Sequence, residues 1–184
     1  MKRKTKKVKV SKRNPILLST IGAILILIGG LYHVHQLQSL SFDRSYNVKQ
    51  FSSPKPAPKQ IIIRSIQVSL PIAQTTIKNG TWEIFNDGAS HLASSANPDE
   101  HQPIIVYAHN RTTQFGNIGM LKKGDSIVLS SGQSHFLYSV NRQLVVDPSN
   151  MSALTKVKGE TLILYTCTGW ADSKRLLVYA DRVE

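Results

Sequence analysis

From Pro15 to His33 the chain carries no formal charge, and none follows until Asp43. The stretch reads Pro15-Ile-Leu-Leu-Ser-Thr-Ile-Gly-Ala-Ile-Leu-Ile-Leu-Ile-Gly-Gly-Leu-Tyr-His33. As a helix it would rise roughly 28 Å at about 1.5 Å per residue. That nearly matches a hydrocarbon core of about 30 Å. Immediately before it stand eight cations and no acid: Lys2, Arg3, Lys4, Lys6, Lys7, Lys9, Lys12 and Arg13. Cations flanking an apolar span stay on the cytoplasmic side. The expected layout is a basic cytoplasmic tail over 1–14 and a transmembrane anchor over 15–33, with everything later outside. A cleaved signal peptide shares the basic start, but Tyr32-His-Val-His-Gln-Leu-Gln38 offers no small-residue cleavage site.

The tail also accounts for most of the net charge of +12. Removing its eight cations from the chain's 23 basic residues leaves 15 against 11 acidic ones. Basic tails bind nucleic acid in other settings. Here the apolar segment directly behind assigns the tail to a membrane surface, so no nucleic-acid partner is expected.

Residues 34–60 read as an extracellular stalk, stiffened by Pro54-Lys-Pro-Ala-Pro-Lys59. From Ile61 the pattern becomes that of strands. Ile66, Val68, Leu70 and Ile72 alternate with polar or turn-forming residues, the period of a half-buried strand. Further strands are expected at Trp82 to Phe85, Ile104 to Ala108, Ser126 to Ser130, Phe136 to Val146, Thr161 to Thr166 and Leu176 to Ala180. Turn signals separate them, including Lys78-Asn-Gly80, Asn86-Asp-Gly88 and Ser131-Gly132. Short helices are expected near Ala89 to Ser95 and Ser152 to Leu154. Many short strands at close spacing predict an all-β fold closed into a barrel over 61–184.

The chain has one cysteine, Cys167, so no internal disulfide can form. It ends the apolar run Thr161-Leu-Ile-Leu-Tyr-Thr-Cys167, which puts the thiol at the tip of a rigid strand. His109 ends a similar run, Pro103-Ile-Ile-Val-Tyr-Ala-His109, and Arg175 opens the last strand. A thiol nucleophile needs a base, and its oxyanion needs a donor. Histidine supplies the first. A guanidinium, always charged and forked, supplies the second. His33, His35, His91, His101 and His135 are less well placed. The alternative is a non-enzymatic, membrane-anchored surface β-domain that binds partners, with Cys167 as a core residue.

These residues resemble the sortase family. Leu164-Tyr-Thr-Cys167 matches the family's Leu-x-Thr-Cys signature, although Ile163 stands where a threonine is usual. His109 and Arg175 fall in the family's order. Val68-Ser-Leu-Pro-Ile72, Leu121-Lys-Lys-Gly-Asp-Ser-Ile127, Phe136-Leu-Tyr-Ser-Val140 and the closing Arg175-Leu-Leu-Val178 are also similar. The resemblance implies an eight-stranded barrel on the outer membrane face of a Gram-positive cell. It implies a cysteine transpeptidase acting on a Leu-Pro-x-Thr-Gly-like sorting signal of exported proteins. By analogy Cys167 forms a thioester, His109 protonates the departing amine, Arg175 stabilises the oxyanion, and Thr166 contributes to substrate binding. An amine of cell wall or pilin is the expected acceptor. No cofactor is expected; some sortases bind calcium, but Asp87, Asp99 and Glu100 are too sparse to assign a site.

Overall fold

A computed structural model describes residues 15–38, 41–42 and 55–183. The chain divides into two compact units, Met1–Leu37 and Gln38–Glu184. The first contains helix α1, Pro15–Gln38, whose described apolar side chains, among them Ile16, Leu25 and Ile26, are exposed. Taken by themselves, the described residues include no helix long and apolar enough to cross a membrane. The basic tail and most of the expected stalk lie outside the described residues.

The second unit is a barrel. Its strands are β1 (Gln60–Ile63), β2 (Val68–Thr75), β5 (Ala89–Leu92), β6 (Ile104–Tyr107), β7 (Ser126–Ser131), β8 (Ser134–Val146), β9 (Thr161–Thr168) and β10 (Lys174–Arg182). A two-residue-strand ribbon, β3 (Ile77–Lys78) and β4 (Thr81–Trp82), and a short helix α2 (Ser152–Thr155) complete it. The eight long strands close in the order β1-β2-β5-β6-β9-β10-β8-β7. The expected all-β barrel is therefore present.

Local chemistry explains the turns. Between β3 and β4 the central residues Asn79 and Gly80 sit at φ of 51° and 74°. Two left-handed residues make the tight hairpin turn whose twist suits the flanking strands, which is why Asn-Gly occurs there. The expected strand from Ile66 begins only at Val68, because Arg64–Ile66 forms a 3-10 turn closed by Gln67 in the left-handed region.

Two expectations are overturned. The strand expected at Trp82 to Phe85 stops at Trp82, the end of β4. Ala89 to Leu92 is not a helix but the strand β5, paired in parallel with β2 and antiparallel with β6. All four of its residues are buried. Wedged between two strands, it buries even its polar residues Ser90 and His91, so no alternation of apolar and polar positions marks it as a strand. The second expected helix forms at Ser152–Thr155.

Strands β6, β9 and β10 are likewise buried on both faces. Val106, Leu164 and Val178 point into the barrel core with Ile61, Leu129 and Tyr138. Ile105, Tyr107, Ile163, Tyr165, Cys167, Leu177 and Tyr179 face a second apolar cluster on the outer side, with Trp82, Leu154 and Phe42. The Tyr107 and Tyr165 rings stack at 5.0 Å, and Trp82 meets Tyr165 edge-on at 5.6 Å. Such pairs add about 0.5–1.5 kcal/mol each beyond area burial. They tie the ribbon and β9 into one rigid support for the strand ends.

Candidate active site

Strand register brings the three sequence-selected residues together. β10 pairs with β9 so that Arg175 lies directly opposite Cys167. β6 pairs in parallel with β9, with Tyr107 beside Tyr165. His109 follows two residues past that last pair, and Cys167 two residues past its partner. Neighbouring strands lie about 4.8 Å apart. Alternation turns Tyr107 and Tyr165 to the outer cluster, and the same period carries Cys167 to that side.

The link between the two strands continues past β6. Ala108 N–H donates to Tyr165 O at 3.3 Å, and Thr166 Oγ1 donates to Ala108 O at 2.8 Å. Thr166, given a substrate-binding role from sequence, is only 1% exposed and its hydroxyl is committed to that carbonyl. It braces the residue preceding His109. The His109 carbonyl in turn accepts from Arg111 N and Phe115 N at 2.8 and 3.1 Å.

His109 is half-buried. Burial, aided by the nearby Arg111 charge, holds its pKa below the ordinary histidine value, and Asp172 opposes this only in part. The imidazole is thus neutral at pH 7 and able to accept a proton. Its Nε2 lies 3.0 Å from Asn86 Oδ1.

Arg175 is 3% exposed. Nη1 donates to Asp172 O and Lys174 O, both at 2.9 Å, and Nη2 donates to Ser41 O at 2.8 Å. Its buried Nε–H has no partner among the described residues. A buried cation with an unspent donor is costly to keep and well suited to receive an oxyanion.

Sequence reasoning missed the segment Ser41–Phe42, which had been assigned to the stalk. Trp82 N–H donates to Ser41 Oγ at 3.2 Å, and the Ser41 carbonyl takes an Arg175 donor. Phe42 is 2% exposed, edge-on to Tyr165 at 5.1 Å and 5.7 Å from Trp82. Cys167 shares that cluster and is itself 2% exposed, so the expected accessible thiol is covered here. The only hint in sequence is an aromatic residue in a polar stretch.

At the far end of β9 and β10 a cavity of ≈ 420 Å³ is lined by Asp99, His101, Lys158, Glu160 and Arg182. Glu160 there is already bound by Tyr138 OH at 2.8 Å and by Arg182 Nε at 3.4 Å. This cavity is about 20 Å of strand away from Cys167 and is lined by no thiol. Among the described residues no cluster of three or more His, Cys, Asp or Glu could hold a metal ion.

Residues 61–183 match the family model of the sortase domain. The chain belongs to the sortase family. Its barrel is similar to sortase C-1 from Actinomyces oris, at 30% identity and a TM-score of 0.60, over 78% of this chain and 87% of that one. It is also similar to sortase C from Clostridium perfringens (27%, TM-score 0.57, 75% and 73% covered). Sortase C1 from Streptococcus agalactiae matches at 27% with a TM-score of 0.60, covering 76% and 74%. A search of curated protein sequences returned no match. This sortase is accordingly a cysteine transpeptidase, with one cysteine to serve it.

Proposed function

We propose that this sortase cleaves a Leu-Pro-x-Thr-Gly-like sorting signal near the C-terminus of exported proteins. The acyl group is held as a thioester on Cys167 and passed to an amine of cell wall or pilin. The observation that carries this reading is the register setting Arg175 opposite Cys167, with His109 two residues beyond Tyr107, the last β6 residue paired with β9.

The chemistry balances on these side chains. Neutral His109 takes the Cys167 proton, and the thiolate attacks the threonine carbonyl carbon. The peptide C–N bond breaks, and the proton held by His109 goes to the departing amine. An incoming amine then attacks the thioester and gives its proton to His109. The released thiolate recovers it. Arg175 supplies donors to the carbonyl oxygen while it carries negative charge. A thioester conserves the acyl energy, so an amine competes with water. No step uses a metal or an organic cofactor.

The uncharged stretch from Pro15 to His33 and the cations before it support a single-pass anchor, cytoplasmic at its N-terminus, with the barrel outside. The Ser19 and Thr20 hydroxyls donate to Ile16 O and Leu17 O within the helix, both at 2.9 Å. That is how polar side chains are accommodated in lipid. Tethering enzyme, substrate and acceptor to one membrane face raises their effective concentration.

The test uses the full chain in detergent micelles with a fluorescent sorting peptide, with and without an amine acceptor. The expected result is a mass adduct on Cys167 and an amine-ligated product. Cys167→Ala and His109→Ala lose both while the far-UV spectrum is kept. Peptide hydrolysis indifferent to the amine would refute transfer. Turnover persisting in Cys167→Ala would remove it as the nucleophile.

A further inference from the structure

His109 is oriented by something the three-residue site does not include. The turn after β4 carries Asn86, whose Oδ1 lies 3.0 Å from His109 Nε2. Asn86 is exposed, so its hydrogen bond competes with water unless the turn is held. It is held from three directions. Phe85 N–H donates to Ser90 Oγ at 2.8 Å. Gly88 is packed so closely that an added Cβ would stand 2.3 Å from Pro71 O and 2.8 Å from the Phe85 ring. Gln114, 4% exposed, donates from Nε2 to Asn86 O at 2.7 Å and to Gly88 O at 3.1 Å.

Gln114 is the telling residue. Both hydrogens of its amide hold this turn, while its buried Oε1 has no partner among the described residues. A buried orphan acceptor is costly and calls for a reason. Gln114 also belongs to the loop that follows His109, where its N–H donates to Arg111 O at 2.9 Å and Phe115 N–H binds the His109 carbonyl. The loop that carries the histidine therefore clamps the turn that carries the asparagine.

We propose that Asn86 is the positioning residue of His109: its Oδ1 holds Nε2–H, so Nδ1 keeps the lone pair that exchanges protons with the thiol and the departing amine. An amide oxygen only accepts, so it selects one imidazole tautomer. Because it is neutral, it orients the ring and stabilises the transient imidazolium without holding the proton there at rest. The other charged groups acting on the ring are Arg111 and Asp172. The inference rests on the transpeptidase reading for its use, but not for its geometry.

The test is nitrogen-15 NMR of the imidazole rings in the full chain in micelles, with His109 assigned through His109→Gln, alongside turnover. The unaltered chain should show the Nε2–H tautomer at neutral pH. Asn86→Ala should give a tautomer mixture and a kcat lower by about tenfold, with KM little changed, as expected for one lost hydrogen bond to a charged group. Asn86→Asp should restore the Nε2–H tautomer and raise the His109 pKa by about one unit, because a carboxylate favours the imidazolium. A merely structural asparagine would leave that titration unmoved. An Nδ1–H tautomer in the unaltered chain, or an unshifted His109 titration in Asn86→Asp, would overturn the assignment. The spectra are read without turnover, so they stand or fall separately from the sorting chemistry.

Discussion

Phe42→Ala tests whether the Ser41–Phe42 segment is what covers the thiol. Phe42 is 2% exposed and packs on Tyr165 and Trp82. Truncating a buried phenylalanine costs about 3–5 kcal/mol. The barrel strands are paired without Phe42, so that loss falls on docking of the segment rather than on the barrel. Taking about 3 kcal/mol, the undocked fraction rises roughly 100-fold. The hydrogen bond from Arg175 to the Ser41 carbonyl survives the substitution, so the segment is weakened rather than released. The readout is the rate at which a charged methanethiosulfonate reagent modifies Cys167, with unfolding monitored in parallel. Where closing is fast, that rate follows the open population. A rise of about two orders of magnitude is expected. An unchanged rate in a folded variant would refute the reasoning, because the thiol would then be covered by the barrel's own residues.

Three other outcomes follow from the geometry. Arg175→Lys should lower kcat by about 100-fold or more, as a single ammonium cannot replace a fork bonded on two nitrogens; turnover near that of the unaltered chain would exclude Arg175 from oxyanion stabilisation. Thr166→Val removes the donor to Ala108 O and should cost about 1 kcal/mol in urea unfolding while also slowing turnover through His109; an unaffected midpoint would count against the brace. Burial pushes the His91 pKa down to about 4. The unfolded chain binds that proton near pH 6.5, so stability is full above 6.5 and falls as pH drops from 6.5 towards 4. The loss is on the order of 3 kcal/mol, and His91→Gln should flatten that slope in melts taken across the range.

What the sequence disclosed followed strand physics. The apolar runs ending at His109 and Cys167 are legible because strands buried on both faces lose their polar residues. That their strands lie side by side was not legible, since parallel pairing of β6 with β9 depends on a crossover that no local pattern records. β5 is obscured for the opposite reason: its Ser90 and His91 are polar yet buried and hydrogen-bonded, so they imitate the polar residues of a loop or helix. Asn86-Asp-Gly88 was recognised as a turn, but its grip on His109 depends on Gln114 from a distant part of the chain. Phe42 was hidden by its surroundings, because an aromatic in a polar segment has no assigned partner until the fold supplies Trp82 and Tyr165.

Closure of the barrel has one more consequence. With β1 paired to both β2 and β7, the eight-stranded ring offers no unpaired rim. Many peptide-binding domains capture a ligand by adding it as a further strand, so that main-chain pairing supplies much of the affinity. That route is shut at this ring. An arriving peptide must satisfy its main chain on donors such as the Arg175 Nε–H and be told apart by the shape of the loops beside Cys167. Affinity as well as discrimination is thereby placed on loops and side chains, where one altered loop residue can retune both while the ring stays as it is.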